Sequence, residues 1–443
     1  TPEVSGARIV GDLARCAREG GGRVVVPAGL HVVPALTLPP NTTLHLADGA
    51  IVRGLAPTHP AALISARGAS NIAITGQGIL EGQATLPIRS VRPLDPDAFR
   101  PVAHHSFDWD PAIPRIRNLV LFESCTNVRI EGVTFRNAGS WTIRFNACRD
   151  VTVRRVTIRN PFEAPCVDGI DPCDTSDVLI EDCDIETSDD AICFKSMKRR
   201  PMRNLTVRNC RLVTTCNAIK VGTDSVGQVE DLTVERCTVE SLLTANVYRC
   251  ISGIALESVD GGAVRRVRAR DLDVRGARNA LFIRVGLRRP RADHEPPAPQ
   301  QPGIVEDVVF ERIRAEGIRI ACPFVGMPGH PARNIVLRDV TLTVEGGRSA
   351  GASPLRPPLR AGDYPEALMW GELPAWAFYL RHVRDVRFEN VRIHTLCVDD
   401  RPPVVLDDAD VIALDGLRWD NRRVEPRIVT EADVTAAAPE KSP

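Results

Sequence analysis

Apolar and polar residues alternate in short runs that return along almost the whole chain. A run opens on Asn or Asp and fills about ten residues: "NVRIEGVTFRN" from Asn127, "DVTVRRVTIRN" from Asp150, "DVLIEDCDIET" from Asp177, "NLTVRNCRLVT" from Asn204 and "DLTVERCTVES" from Asp231. Further copies begin at Asn71, Asp307, Asn334 and Asp385, with a weaker one at Asp410. The central starts fall at 127, 150, 177, 204 and 231, a first interval of 23 and then a steady 27. Period-two alternation places successive side chains on opposite faces of a strand. A repeat of 20 to 50 residues signals a solenoid. Together they predict an all-β fold, a right-handed parallel β-helix in which each coil lays its strands on those of the coil before.

The ends and interruptions fit that scheme. Residues 1–50 read as an N-terminal cap with an amphipathic helix and the first coils, since a solenoid needs an atypical terminal unit. Three segments break the period, at 84–115, 286–303 and 346–374, and are expected to leave one face as long loops. The second, "GLRRPRADHEPPAPQQPG", holds too many prolines for a strand. No linker separates two cores, so the expectation is one domain, 1–443.

Composition narrows the function classes. Lys and Arg together number 56, as do Asp and Glu, so a basic nucleic-acid binder is not expected. No apolar run reaches the roughly 18 residues of a membrane span, and no signal-peptide pattern opens the chain. Thirteen cysteines form no disulfide framework or zinc spacing. Cys183, Cys210 and Cys237 recur at one repeat position, and Cys125, Cys148 and Cys173 suggest a looser ladder. Stacked in a solenoid, such thiols act as small hydrophobes.

The candidate chemistry lies in "CVDGIDPCDTSDVLIEDCDIETSDDAICFKS", Cys166 to Ser196. Asp168 precedes the adjacent Asp189 and Asp190 by nearly one coil, which brings them to about one strand spacing, roughly 4.8 Å. Two neighbouring aspartates share a face only at a bulge or strand end. Three crowded carboxylates cannot all ionise cheaply, so one is expected to keep its proton. A protonated acid beside ionised carboxylates is the equipment of glycoside hydrolysis. The plainer reading is that these aspartates only end strands at turns. The one-coil offset and the nearby Lys195 weigh against it.

The repeats and this segment resemble the polygalacturonase family, glycoside hydrolase family 28. That family carries an Asn-Thr-Asp motif, an Asp-Asp motif about one coil later and then Ile-Lys-Ser. Here "CVD" (166–168), "DD" (189–190) and "FKS" (194–196) occupy those places, with "NAGSWTIRFNACRDV" (137–151) extending the likeness. The resemblance implies Asp189 as general acid, Asp168 and Asp190 activating water, and inversion at the anomeric carbon. It also implies a pectic or other plant cell-wall carbohydrate as partner, with no cofactor and no metal. A secreted or periplasmic location follows from the same likeness, with the cytoplasm left open.

The departures concern the substrate. The family's Gly-His-Gly falls on "CNA", which puts Asn217 in the histidine's place. Its Arg-Ile-Lys falls on "ALE", giving Ala255 and Glu257 where cations would clamp a uronate. A carboxylate there is expected to repel galacturonate and to bind hydroxyls of a neutral sugar, with Lys220 as a displaced positive charge. Trp109 in the first insertion and Lys195 complete the expected contacts. Arg199 and Arg200 are candidates for an acidic neighbouring sugar, and His330 reads as structural. Long loops around one face suggest exo attack. A lyase or epimerase on the same solenoid, or a non-catalytic carbohydrate-binding β-helix, are the alternatives. Oligomeric state is not legible.

Overall fold

The computed structural model describes residues 1–55, 62–83, 88–90, 107–110, 112–241, 249–288, 300–351, 353–420, 424–430 and 433. They build the right-handed parallel β-helix that the repeats predict. Three columns of parallel strands run along the solenoid. One column contains Gly22–Val26, Thr42–Leu46, Ser70–Gly76, Thr126–Glu131, Arg149–Arg154, Ser176–Glu181 and Leu205–Arg208. A second holds Gly29–Val33, Ala50–Gly54, Ile79–Glu81, Thr134–Arg136, Thr157–Arg159, Asp184–Thr187 and Arg211–Thr214. The third is the site sheet. It includes Asn118–Glu123, Ile143–Asn146, Ile170–Cys173, Ile192–Ser196, Asn217–Ser225, Ser252–Ser258 and Asn279–Val285.

The opening Asn or Asp of each repeat has a physical reason. Asn71, Asn127, Asp150, Asp177, Asn204, Asp231, Asp307, Asn334 and Asp385 all sit at φ between 52° and 59°. That left-handed turn is tolerated best by Asn and Asp after glycine. The exposed amides also bond from coil to coil: Asn127 Nδ2 donates to Asn71 Oδ1 at 2.8 Å, and Asn204 Nδ2 to Asp177 Oδ1 at 2.6 Å. In the weak last copy the left-handed residue is Val411 instead of Asp410.

The inward positions stack in register, for example Ile72, Val128, Val151, Val178, Leu205 and Leu232, all buried. Cys183, Cys210 and Cys237 are likewise buried and unbridged, each donating its thiol to the carbonyl two residues before it. The looser ladder differs from expectation. Cys125 and Cys148 stack, but the next coil offers Thr175, whose Oγ1 accepts from the Cys148 amide. Cys173 falls two residues before that position and belongs to the site sheet, between Asn146 and Lys195.

Helix α1, Pro2–Glu19, covers the N-terminal end with Ile9, Leu13 and Cys16 buried. Thr1 caps it and Gly20, at φ 83°, ends it. Gly6 has no room for a side chain, since a Cβ would stand 1.8 Å from the Val32 carbonyl oxygen. In the first insertion, Ile88–Ser90 and Phe107–Trp109 pair antiparallel. No helix among the described residues is long and apolar enough to cross a membrane.

Candidate active site

In the site sheet Ile143, Ile170, Ile192, Ile219, Ile254 and Leu281 stack inward. The residues that follow them, Arg144, Asp171, Cys193, Lys220, Ala255 and Phe282, therefore line the outer face in one row. Asp168, Asp190 and Asn217 lie at the start of three successive strands of this sheet. Main-chain bonds fix the stacking: Asp189 N donates to Val167 O at 3.0 Å and Gly169 N to Asp190 O at 2.9 Å.

The adjacent aspartates occupy the turn between Asp184–Thr187 and Ile192–Ser196, so the alternation of a strand does not apply to them. Buried hydroxyls pin that turn. Thr187 donates to the Val167 carbonyl and Ser188 to that of Ala164, while Thr214 and Thr215 donate to the carbonyls of Asp189 and Ser188. Asp189 remains half-exposed and its Oδ1 accepts from the Asp190 amide at 2.9 Å. Asp190 is buried.

Two lysines divide the carboxylates into two groups. Lys195 Nζ stands 4.0 Å from Asp168 Oδ2, both side chains buried. Asp171, which the sequence reading passed over, is fully buried beside them, with no hydrogen-bond donor to either oxygen. Asp168, Asp171 and Cys193 present ligand atoms within 4.8 Å of one another. Burial first, then Asp171 and Asp189, push the Asp168 carboxyl well above the usual carboxylate range against the pull of Lys195. Burial raises Asp171 to about 7. Two carboxyls this close and this dry do not both ionise readily.

The second group is centred on Lys220, fully buried, with Nζ 3.3 Å from Asp190 Oδ2 and 3.8 Å from Glu257 Oε2. Asn217 donates to Asp190 Oδ1 from its side-chain amide at 2.8 Å and from its main chain at 3.3 Å. Burial alone would lift Asp190, but Lys220, Lys195 and the Asn217 amide outweigh it and hold the carboxyl below its ordinary range. Burial raises Glu257 to about 8 despite Lys220. At neutral pH Asp190 therefore carries the negative charge and Glu257 keeps its proton. Gly222, at φ 98°, allows the close pass of these strands, because a Cβ there would meet the Glu257 carbonyl oxygen at 2.5 Å.

These positions revise the expected substrate contacts. The Glu257 side chain is fully buried against Lys220, and burial raises its carboxyl to about 8, so it presents no fixed negative charge at neutral pH. Lys220 is not a displaced clamp, because Asp190 already takes its charge. Asn217 and Lys195 are buried beneath the carboxylates they orient. Trp109 is half-buried, its indole N–H donates to Pro165 O at 2.9 Å, and the Arg115 guanidinium lies 4.4 Å from its ring. It thus braces the segment leading to Asp168. Arg199 and Arg200 are exposed, and His330 pairs with Met327 in a turn.

The third insertion folds back over the sheet. Tyr364 covers Lys220, with its hydroxyl accepting from Nζ at 3.4 Å. Ala367, Leu368 and Trp370 pack on Ala255 and Phe282, the Phe282 and Trp370 rings 6.3 Å apart. Arg284 donates to the carbonyls of Leu359 and Arg360 beneath this cover. Two further missed residues, Trp141 and Arg144, lie half-exposed on the earlier coils. They were legible in principle, standing one 27-residue repeat before Asp168 and Asp171 respectively.

The sequence matches the family model of glycosyl hydrolases family 28 over residues 16–354. A curated relative named "Probable polygalacturonase", from Vitis vinifera, is 22% identical over 363 residues, which cover 75% of this chain and 69% of that protein. Among solved structures, a hyperthermoactive exopolygalacturonase from Thermotoga maritima superposes with a TM-score of 0.65 at 20% identity, covering 88% of this chain and 87% of that one. The family 28 exopolygalacturonase of Yersinia enterocolitica gives 0.61 at 18% identity, covering 95% and 74%. At such identities these structures show a shared fold.

Proposed function

The chain belongs to family 28 of the glycosyl hydrolases, and from that premise we propose an inverting hydrolase that trims a pectic or related cell-wall saccharide other than plain polygalacturonate. Asp189 donates a proton to the glycosidic oxygen. Water attacks the anomeric carbon from the opposite face and Asp190 receives its proton, with Asp168 beside it in the carboxylate cluster. The observation that carries this reading is the split among the carboxylates. Asp190 is held ionised by Lys220 and Asn217, while burial and the neighbouring Asp171 hold Asp168 towards its protonated form.

Two features support the substrate class and the mode of attack. The coil bearing Ala255 and Glu257 offers no unspent cation to a uronate. The 346–374 insertion roofs the sheet over Ala255 and Phe282, which favours exo attack with the saccharide leaving towards the earlier coils. The test is a panel of pectic and hemicellulosic oligosaccharides given to wild type and Asp189→Asn, with product anomers followed by NMR. The expected outcome is inversion, with the variant slowed by about 10²- to 10⁴-fold. Retention of configuration overturns the mechanism, and brisk hydrolysis of unsubstituted polygalacturonate overturns the substrate class.

A further inference from the structure

Positive charge near the carboxylates is distributed unevenly. Lys195 faces Asp168 and Lys220 faces Asp190. Arg288 is bound by Asp260 at 2.9 Å and Asp224 at 3.2 Å. Arg284 is buried under the third insertion. Arg144 forms no ion pair among the described residues, although its charge acts on Asp171 across the strand spacing. It is half-exposed on the outer row, one strand from Asp171, and its guanidinium lies 4.5 Å from the Trp141 ring. Its Nε donates to Asn146 Oδ1 at 2.8 Å and its Nη2 contacts Met197 Sδ at 3.7 Å, and neither partner is anionic.

From this asymmetry we infer that Arg144 and Trp141 form an anionic subsite, which takes a carboxylate-bearing sugar on the early-coil side of the reacting bond. The inference rests on the hydrolase reading and deepens it. The Asn146 bond fixes the guanidinium at Nε, so its Nη groups remain to meet a carboxylate. Trp141, also half-exposed, supplies an apolar wall, and the Lys195 ammonium 4.8 Å from the same ring adds to the local positive field. One strand spacing, about 4.8 Å, separates Arg144 from Asp171 along the solenoid axis. The subsite is therefore adjacent to the carboxylates and not remote from them. The preferred substrate then joins an uncharged sugar, on the roofed side, to an acidic one on the open side.

Binding is measured by calorimetry in the Asp189→Asn background, so that hydrolysis does not intervene. The probes are a mixed uronate and neutral-sugar pectic tetrasaccharide and the same tetrasaccharide after reduction of its carboxyls to primary alcohols. The acidic form is expected to bind about 10- to 100-fold more tightly, the worth of a hydrogen-bonded charge pair. Arg144→Gln should erase that preference while leaving the reduced form unaffected, and Arg144→Lys should keep part of it. A preference that survives in Arg144→Gln, or no preference in the parent protein, overturns the subsite. The hydrolase reading fails separately, if Asp189→Asn turns over substrate at the wild-type rate.

Discussion

The Lys195 group and the Lys220 group are built alike and behave differently. Each buries an ammonium close to two carboxyl groups of neighbouring coils. Around Lys195, burial raises both carboxyls, Asp168 and Asp171, and repulsion from Asp171 lifts Asp168 further. Around Lys220, two lysines and the Asn217 amide keep Asp190 ionised, while burial keeps Glu257 protonated. A buried cation is tolerable only with compensating charge. What the comparison teaches is that the lysine and amide partners each carboxyl gains decide where the proton resides. One site thereby holds both a protonated acid and a fixed anion.

The sharpest way to break this comparison is to remove the second cation. Lys220→Met leaves Asp190 buried beside a carboxyl and without its counter-charge, and should destabilise the protein by about 3–5 kcal/mol. Adding Glu257→Leu removes one of the two groups competing for a proton and should recover part of that loss. In the surviving protein the acid limb of kcat/KM should move to higher pH, since Asp190 no longer has the ion pair that holds its proton off. Denaturant unfolding with a pH–rate profile reads both effects. An unmoved acid limb means that Lys220 does not set the charge of Asp190.

A second prediction sharpens the comparison through stability against pH. Both raised carboxyls bind protons more tightly in the folded protein than in the unfolded chain. Their stabilising contribution is complete below the unfolded values of 3.8 and 4.5, and is lost as pH rises through about 7 for Asp171 and about 8 for Glu257. Stability should therefore decline from about pH 4 to about pH 8. Glu257→Gln should flatten the upper part of that slope and Asp171→Asn the lower part. Urea midpoints across this range measure it, and equal slopes in all three proteins would contradict the proton assignment.

The two groups were not equally legible in the sequence. Periodic Asn and Asp exposed the coils because a left-handed turn demands those residues, and the 27-residue interval exposed the cysteine ladder. A shorter offset of 21 residues, nearly one coil, brought Asp168 next to Asp189 and Asp190, with Lys195 nearby in the sequence. The Lys220 group was read in name but misplaced in depth. Asn217 and Glu257 stand where the family's substrate-binding residues would be, and alternation puts Lys220 and Glu257 on the outer face. Whether an outer-face residue meets sugar or protein depends on what covers it. The cover comes from an insertion more than 140 residues later in the chain, and no local pattern announces that Tyr364 lies on Lys220. Asp171 and Arg144 were within reach of the repeat arithmetic, which the adjacent pair of aspartates drew away from them.

The smallest predicted effect tests that cover. Tyr364→Phe keeps the ring 5.3 Å from the Lys220 ammonium and removes only the hydroxyl that accepts from it at 3.4 Å. The bond is long and the tyrosine 38% exposed, so water can replace the lost acceptor. A loss of only ~0.5–1 kcal/mol is expected, with the acid limb of the rate profile unchanged. Tyr364→Ala removes the ring as well and opens Lys220 to water, which weakens its pairing with Asp190 by raising the local dielectric. That variant should shift the acid limb in the same direction as Lys220→Met, but by less. If Tyr364→Phe and Tyr364→Ala give the same profile, the insertion shapes only the groove, and the charge state of Asp190 is set within the coils.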